Sequence, residues 1–281
     1  MTTTLKIRTI LCLSVLLAFQ CLLAVENRRP QNTIILLDLS DRLLVPGQIS
    51  KDTSIIIQIF IVVLRRNAMQ QLIMTCRNRF SIVIAPQKSN CILANQMEEA
   101  LTLDLSKQTT AARLNALKSF SKSFEQRLKE LYVISGKSKA STDYSGSDLW
   151  RYFNEQLVND VRNGYDNTLI VLTDGYFDFE DMNSKKQINN RHTTTLFLKQ
   201  LHGVDWREKA TREDYGLLKV RYSFPGLQAY IVGIRAKCED QTEVEKLEYF
   251  WKDWLFGMKV INVKTIPATT TEKIMNAIAV K

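Results

Sequence analysis

The chain has 281 residues, 45% hydrophobic and 24% charged, which is ordinary globular composition and enough length for a self-supporting core. Its formal net charge is +9, but the basic residues (Arg65-Arg66, Arg77, Arg79, Lys118, Lys122, Lys185-Lys186) are scattered and no RNA-binding or zinc-finger motif accompanies them. The charge therefore reads as a solvated positive surface and not as a nucleic-acid interface.

The N-terminus stands apart. Lys6 and Arg8 precede the apolar run Ile10 to Ala18, and Leu22-Leu23-Ala24 supplies a small residue for cleavage. Residues 1–24 are expected to be a secretory signal peptide, which makes the protein secreted or periplasmic. The alternative is an uncleaved membrane anchor, but Ile10 to Val25 contains Gln20 and is shorter than the roughly 20 residues that span a bilayer. Lipidation at Cys21 finds only a poor lipobox in Ala18-Phe19-Gln20. Cleavage removes Lys6 and Arg8 and no acid, so +9 becomes +7, and Cys76, Cys91 and Cys238 remain. An odd number of cysteines is not a disulfide scaffold. Cys76 and Cys91 either pair or stay as buried thiols, and no pair of the three has zinc-ligand spacing.

Residues 25–32 read as a short polar tether, and a domain is expected over 33–281. It opens on Thr33-Ile34-Ile35-Leu36-Leu37, an apolar run that ends abruptly in Asp38-Leu39-Ser40-Asp41-Arg42. This pattern predicts a buried parallel strand delivering polar groups to its C-terminal edge. After the Pro46-Gly47 break, Ser50 and Asp52 open a predicted helix over about 50–75; its β-branched content favours a strand, but its length and the crossover between parallel strands require a helix. A strand is predicted from Arg79 to Pro86, a short one over Leu101–Leu105, and an amphipathic helix from Thr109 or Thr110 to Gly136. A polar loop leads to Ser147-Asp148, a helix start, and Gly164 closes that helix. Thr168-Leu169-Ile170-Val171-Leu172-Thr173-Asp174-Gly175 repeats the opening design. Residues 175–226 are irregular, with a helical piece around Thr194–His202. A strand over Leu227–Ile234, a helix after Thr242, a strand over Val260–Val263 and a helix over Thr271–Val280 finish the chain. The spacing of Phe250, Trp251 and Trp254 places them in a helix core.

Strands alternating with helices predict an α/β fold, a doubly wound, mostly parallel sheet with helices on both faces. Its sites lie beyond the carboxyl ends of the strands. Asp38, Ser40, Ser147 and Asp174 then form one set of hard oxygen donors, suited to Mg²⁺ and less specifically to Mn²⁺ or Ca²⁺.

The order of these pieces resembles the von Willebrand factor A (vWA) family over roughly residues 33–280. That family's metal-ion-dependent adhesion site has the form Asp-x-Ser-x-Ser, a Thr in a later loop and an Asp in Thr-Asp-Gly. Asp38 and Ser40 match the first two positions, Ser147 in Gly146-Ser147-Asp148-Leu149 stands for the Thr, and Asp174 matches the last. Arg42 occupies the third position, where a guanidinium cannot ligate a metal. The resemblance implies a non-enzymatic module binding a protein partner whose carboxylate completes the metal's coordination. If Arg42 has replaced the ion, Arg42 itself receives the partner's acid. Asp41 and Asp178 are further partner-facing candidates. The enzyme alternative is a hydrolase, but Ser40 is in no Gly-x-Ser-x-Gly elbow and the two histidines, His192 and His202, lie in the irregular region. No P-loop or dinucleotide fingerprint is present.

Overall fold

The computed structural model describes residues 29–66, 68, 73–87, 91–137, 146–179 and 186–278. The expected signal peptide lies outside them, as does the start of the tether. The first strand, β1 (Gln31–Leu37), begins two residues earlier than predicted. It is followed in the main sheet by β2 (Arg79–Ile84), β3 (Thr102–Asp104), β4 (Asp166–Leu172), β8 (Gln228–Ile234) and β9 (Asn262–Pro267), in the spatial order β3-β2-β1-β4-β8-β9. All pairs are parallel except the outermost, β2 with β3. The chain is thus a mixed α/β protein around a six-stranded, mostly parallel sheet.

Side chains alternate along a strand, so β1 faces two cores at once. Ile35 and Leu37 pack with α1 (Gln48–Ile59), α3 (Arg113–Lys137) and α7 (Thr271–Ala277). Ile34 and Leu36 pack with α4 and α6. Here α4 covers residues 149–160 as Leu149–Arg151, a π-helical turn Tyr152–Gln156 and Leu157–Asp160, and α6 is Glu243–Gly257. Trp251 and Trp254 of α6 are core residues, their indole N–H groups donating to the carbonyls of Gly175 (2.9 Å) and Leu218 (2.8 Å).

Several predicted elements differ in extent. The helix predicted over 50–75 starts at Gln48 and passes at Phe60 into wider π-helical turns, Phe60–Arg66. The widening accompanies the burial of Phe60, Val63 and Leu64 in one core, with Phe60 against Phe80, Phe120 and Phe124. Residues 187–217 hold a second, small sheet, β5 (Gln187–Ile188), β6 (Arg191–His192) and β7 (Gly216–Leu217), and a short α5 (Trp206–Arg212), none of them predicted. The last strand lies two to four residues later than predicted. Cys76 is a buried free thiol.

An unpredicted helix, α2 (Cys91–Ala100), finishes the sheet edge. Strand β3 pairs only with Arg79–Ser81, so the outer backbone of Ile82 and Ile84 needs other partners. Ile82 N–H donates to the carbonyl of Leu101 (3.4 Å), and Ile84 N–H to Glu98 Oε1 (2.7 Å). Burial raises the Glu98 carboxyl to about 7, against the pull of the Ile84 hydrogen bond and with a smaller push from Asp160. A raised folded-state value means that this group's contribution is intact below about 4.5 and is lost as pH rises through about 7. Glu98→Gln keeps the acceptor and removes the ionisation. It should match wild type near pH 4 in urea unfolding and exceed it increasingly up to pH 7, by on the order of 2 kcal/mol once partial exposure is allowed for.

Candidate functional site

The pairing of β1 with β4 runs from Gln31 opposite Asp166 to Leu37 opposite Leu172, so both strands stop at one level. The ladder continues one step, Asp38 N–H donating to the Leu172 carbonyl at 3.1 Å. Asp38 Oδ2 accepts from the Thr173 hydroxyl (2.8 Å) and Oδ1 from the Ser40 N–H (3.0 Å). Asp174 Oδ1 accepts from the Tyr176 N–H at 3.2 Å. Asp38, Ser40, Thr173 and Asp174 are all buried. Two carboxylates from distant parts of the chain are thereby brought to one edge. Burial and the neighbouring charge of Asp38 raise Asp174 to about 6, with Lys237 pulling the other way.

Ser147 comes to the same end of the sheet through its neighbours. Asp148 N–H donates to the carbonyl of Pro86, just beyond β2, at 2.8 Å, and Gly146 bridges Phe179 just beyond β4. Gly146 has φ +64°, and a Cβ there would collide with the Asp178 carbonyl, so only glycine permits this approach. Asp148, not Ser147, caps α4 by accepting from the Arg151 N–H (2.9 Å). The buried Ser147 hydroxyl has no hydrogen-bond partner among the described residues.

Arg42 is turned away from this edge. Its guanidinium forms a bidentate pair with Asp52 (2.8 and 3.0 Å), and Nη1 also donates to the backbone carbonyl of Asp38 (3.1 Å). Both side chains are about 2–3% exposed. Burial opposes the charge on Arg42, but Asp52 outweighs it and raises the guanidinium's proton affinity. Gln48 Nε2 (2.7 Å) and the Tyr132 hydroxyl (3.4 Å) complete the shell of Asp52. Arg42 therefore neither bridges Asp38 to Asp174 nor stands free for a partner's acid, as its position in the motif suggested. Asp52 was legible in principle: Asp52, Ile55, Ile56 and Ile59 share the buried stripe of α1, and a carboxylate in such a stripe needs a cation.

Among the described residues, the cation in contact with the acids of this edge is Lys237. Its Nζ lies 3.1 Å from Asp41 Oδ1, 3.2 Å from Asp174 Oδ2 and 3.7 Å from Asp178 Oδ2. The Asp174 contact is an ion pair whose angle falls short of a hydrogen bond. Burial works against the Lys237 charge, and Asp174, Asp178 and Asp41 together outweigh it, so the ammonium holds its proton more tightly than usual. Asp178 is itself positioned by Thr195, whose hydroxyl donates to Oδ1 (3.1 Å). A bulge at Gly233 brings Lys237 here. Its φ is +101°, a Cβ would stand 2.9 Å from the Thr173 carbonyl, and the register of β8 shifts between Val232 and Ile234. Arg235 N–H then bonds the Asp174 carbonyl (3.0 Å), and the chain turns back over the site. The missed signal was the tip of a third strand, Arg235-Ala236-Lys237, ending on the same edge.

The vWA resemblance implies a divalent ion at this edge. The hydroxyl and carboxylate oxygens suit one, and so do the Ser147 hydroxyl and Asp174 Oδ2, neither of which has a hydrogen-bond partner among the described residues. Lys237 and Arg42 do not. A dication about 4 Å from an ammonium meets repulsion on the order of 8 kcal/mol at an effective dielectric near 20, a figure that screening at partly exposed Lys237 lowers. Among the described residues no group of three or more His, Cys, Asp or Glu could hold a metal ion. As arranged, the donor set suits an ammonium better than a dication.

Neither histidine hydrogen-bonds Ser40 or Ser147 among the described residues; His192 lies against Phe197, with ring centroids 5.7 Å apart. His202 lines a cavity of about 510 Å³ beside the site, together with Tyr176, Asp178, Leu198 and Lys237.

Neither a protein-family model nor a curated protein sequence matches the chain. Among solved structures it is similar to proximal thread matrix protein 1 from the mussel byssus, at 9% identity and TM-score 0.34 over 89% of this chain and 46% of that one. It is also similar to the pilus adhesin SpaC from Lactobacillus rhamnosus GG, at 11% identity and TM-score 0.41 over 89% of this chain and 30% of that one. The chain spans less than half the length of either. Likeness this weak leaves the functional reading to the geometry of the site.

Removing one member of a buried ion pair strands the other. Asp52→Ala should cost about 3–5 kcal/mol in urea unfolding, while the double variant Arg42→Met/Asp52→Leu should recover most of that loss.

Proposed function

We propose that residues 33–281 form a doubly wound vWA-like module that binds a protein partner at the C-terminal edge of its sheet and turns over no substrate. The observation that carries this reading is the meeting of Asp38 and Asp174 at adjacent strand ends, with Asp41 and Asp178 standing outside them. In this reading the N-terminal apolar segment directs the module out of the cytoplasm. No helix among the described residues is long and apolar enough to cross a membrane.

The partner's chemistry follows from charge. Asp38, Asp41, Asp174 and Asp178 outnumber the ammonium of Lys237, and Arg42 is withdrawn into its pair with Asp52. An incoming carboxylate would have to displace an acid that Lys237 already serves. An incoming Lys or Arg side chain meets Asp41 and Asp178, whose side chains are 52% and 44% exposed. The adjoining cavity, with Phe179 and Leu198 in its wall, suits an apolar side chain next to that base in the partner.

The test uses arrayed basic, acidic and neutral peptides, with ester and phosphoester hydrolysis measured on the same preparations. Basic peptides should bind, more weakly as salt rises, and Asp41→Ala and Asp178→Ala should each weaken binding about 5-fold. Hydrolysis should stay at background in wild type, Asp38→Asn and Asp174→Asn. Turnover by wild type that both Asn variants abolish would establish the hydrolase instead.

A further inference from the structure

We infer that Lys237 is the resident cation of this edge: its tethered ammonium takes the place that the vWA-like arrangement gives to a divalent ion, so the site is complete without metal. The inference rests on the vWA-like reading for the place of the ion, and on the geometry of this chain for its occupant.

Lys237 is held from three sides. Its backbone N–H donates to the Tyr176 hydroxyl (2.9 Å), which in turn donates to Glu243 (3.1 Å). Its Nζ lies 4.9 Å from the centre of the Tyr176 ring, on whose face a cation is attracted. Tyr176 also donates its own N–H to Asp174, so one residue positions both the lysine and the acid that it meets. Beyond Nζ stand Asp41, Asp174 and Asp178. An ordinary surface ion pair has two mobile ends and contributes little. Here one end is a carboxylate 2% exposed, with a second buried carboxylate, Asp38, on the adjacent strand tip. Two such acids on adjacent strand tips need a cation close by. Arg42, the nearest in sequence, serves Asp52, and among the described residues Lys237 is the cation that contacts Asp174.

If Lys237 substitutes for an ion, then removing its charge should create a vacancy that an ion fills. The Ser147 hydroxyl, which has no hydrogen-bond partner among the described residues, and Asp174 Oδ2, freed of its ion pair with Lys237, are the oxygens left to receive it. The experiment is thermal unfolding of the full chain in EDTA and in Mg²⁺, Mn²⁺ or Ca²⁺ at constant ionic strength. Wild type should move by less than about 1 °C at about 10 mM of each ion, and Lys237→Ala by at least about 4 °C with one of them, saturably. Lys237→Gln, which keeps the length and hydrogen-bonding capacity of the side chain, should respond in the same direction and serves if the alanine variant does not fold. A saturable shift in wild type would overturn the inference, and so would two neutral variants that ignore all three ions. The titration needs no partner. Failure to bind basic peptides would sink the function proposed above and leave the role of Lys237 standing, and a saturable wild-type shift would do the reverse.

Discussion

The register between β1 and β4 is the constraint on which the rest of the molecule depends. Side chains alternate with period two, so a slip of one residue would exchange the faces of β1 and drive both cores out of place. Ile34, Ile35 and Leu36 are fully buried, which makes that slip prohibitive. The same register fixes Leu37 opposite Leu172, and Asp38 must therefore emerge beside Thr173. Strand β8 is pinned to β4 in turn, and its bulge at Gly233 carries Arg235–Lys237 back over the gap. The apolar packing of the sheet interior thus sets the positions of the polar groups at its edge.

That placement creates an electrostatic difficulty. Asp38 and Asp174 are buried within interaction range, and an unpaired buried charge is strongly unfavourable. The chain meets the difficulty with directed donors and one cation. Thr173 and the Ser40 amide stabilise Asp38, the Tyr176 amide stabilises Asp174, and Lys237 supplies the charge. The two cations near the site are not interchangeable. The planar guanidinium of Arg42 matches the two oxygens of Asp52 inside the core, whereas the point-like ammonium of Lys237 can face three acids at the surface.

What was legible in the sequence follows from which interactions are local. The strands showed as short apolar runs ending in polar clusters, and their convergence needed only the rule that parallel strands share a carboxyl edge. The direction of Arg42 was not legible, because a motif position says nothing about which of several acids will claim a long side chain. Its partner lies ten residues away across a turn, on a helix whose start was placed at Ser50 and not at Gln48. Lys237 was not legible because the third strand tip, unlike the other two, carries no recognisable motif. Helix α2 and the small β5-β6-β7 sheet escaped for a different reason. Their strands are two residues long, and α2 follows a stretch with no clear period, so tertiary contacts decide their form.

The orientation of the acids also bears on whether this edge recognises or reacts. A carboxylate pair that moves protons needs one member free to reach a substrate. Asp38 has both oxygens engaged, and Asp174 lies beneath Lys237 with 2% of its surface exposed. The groups that do reach solvent, Asp41 and Asp178, are engaged by Lys237 and, at Asp178, by the Thr195 hydroxyl, and have no histidine hydrogen-bonded to them among the described residues. Asp38 and Asp174 are buried and held by donors of the fold, while Asp41 and Asp178 reach solvent at the rim. The proposed reading of this edge as a binding surface that discriminates by charge and shape rests on that arrangement.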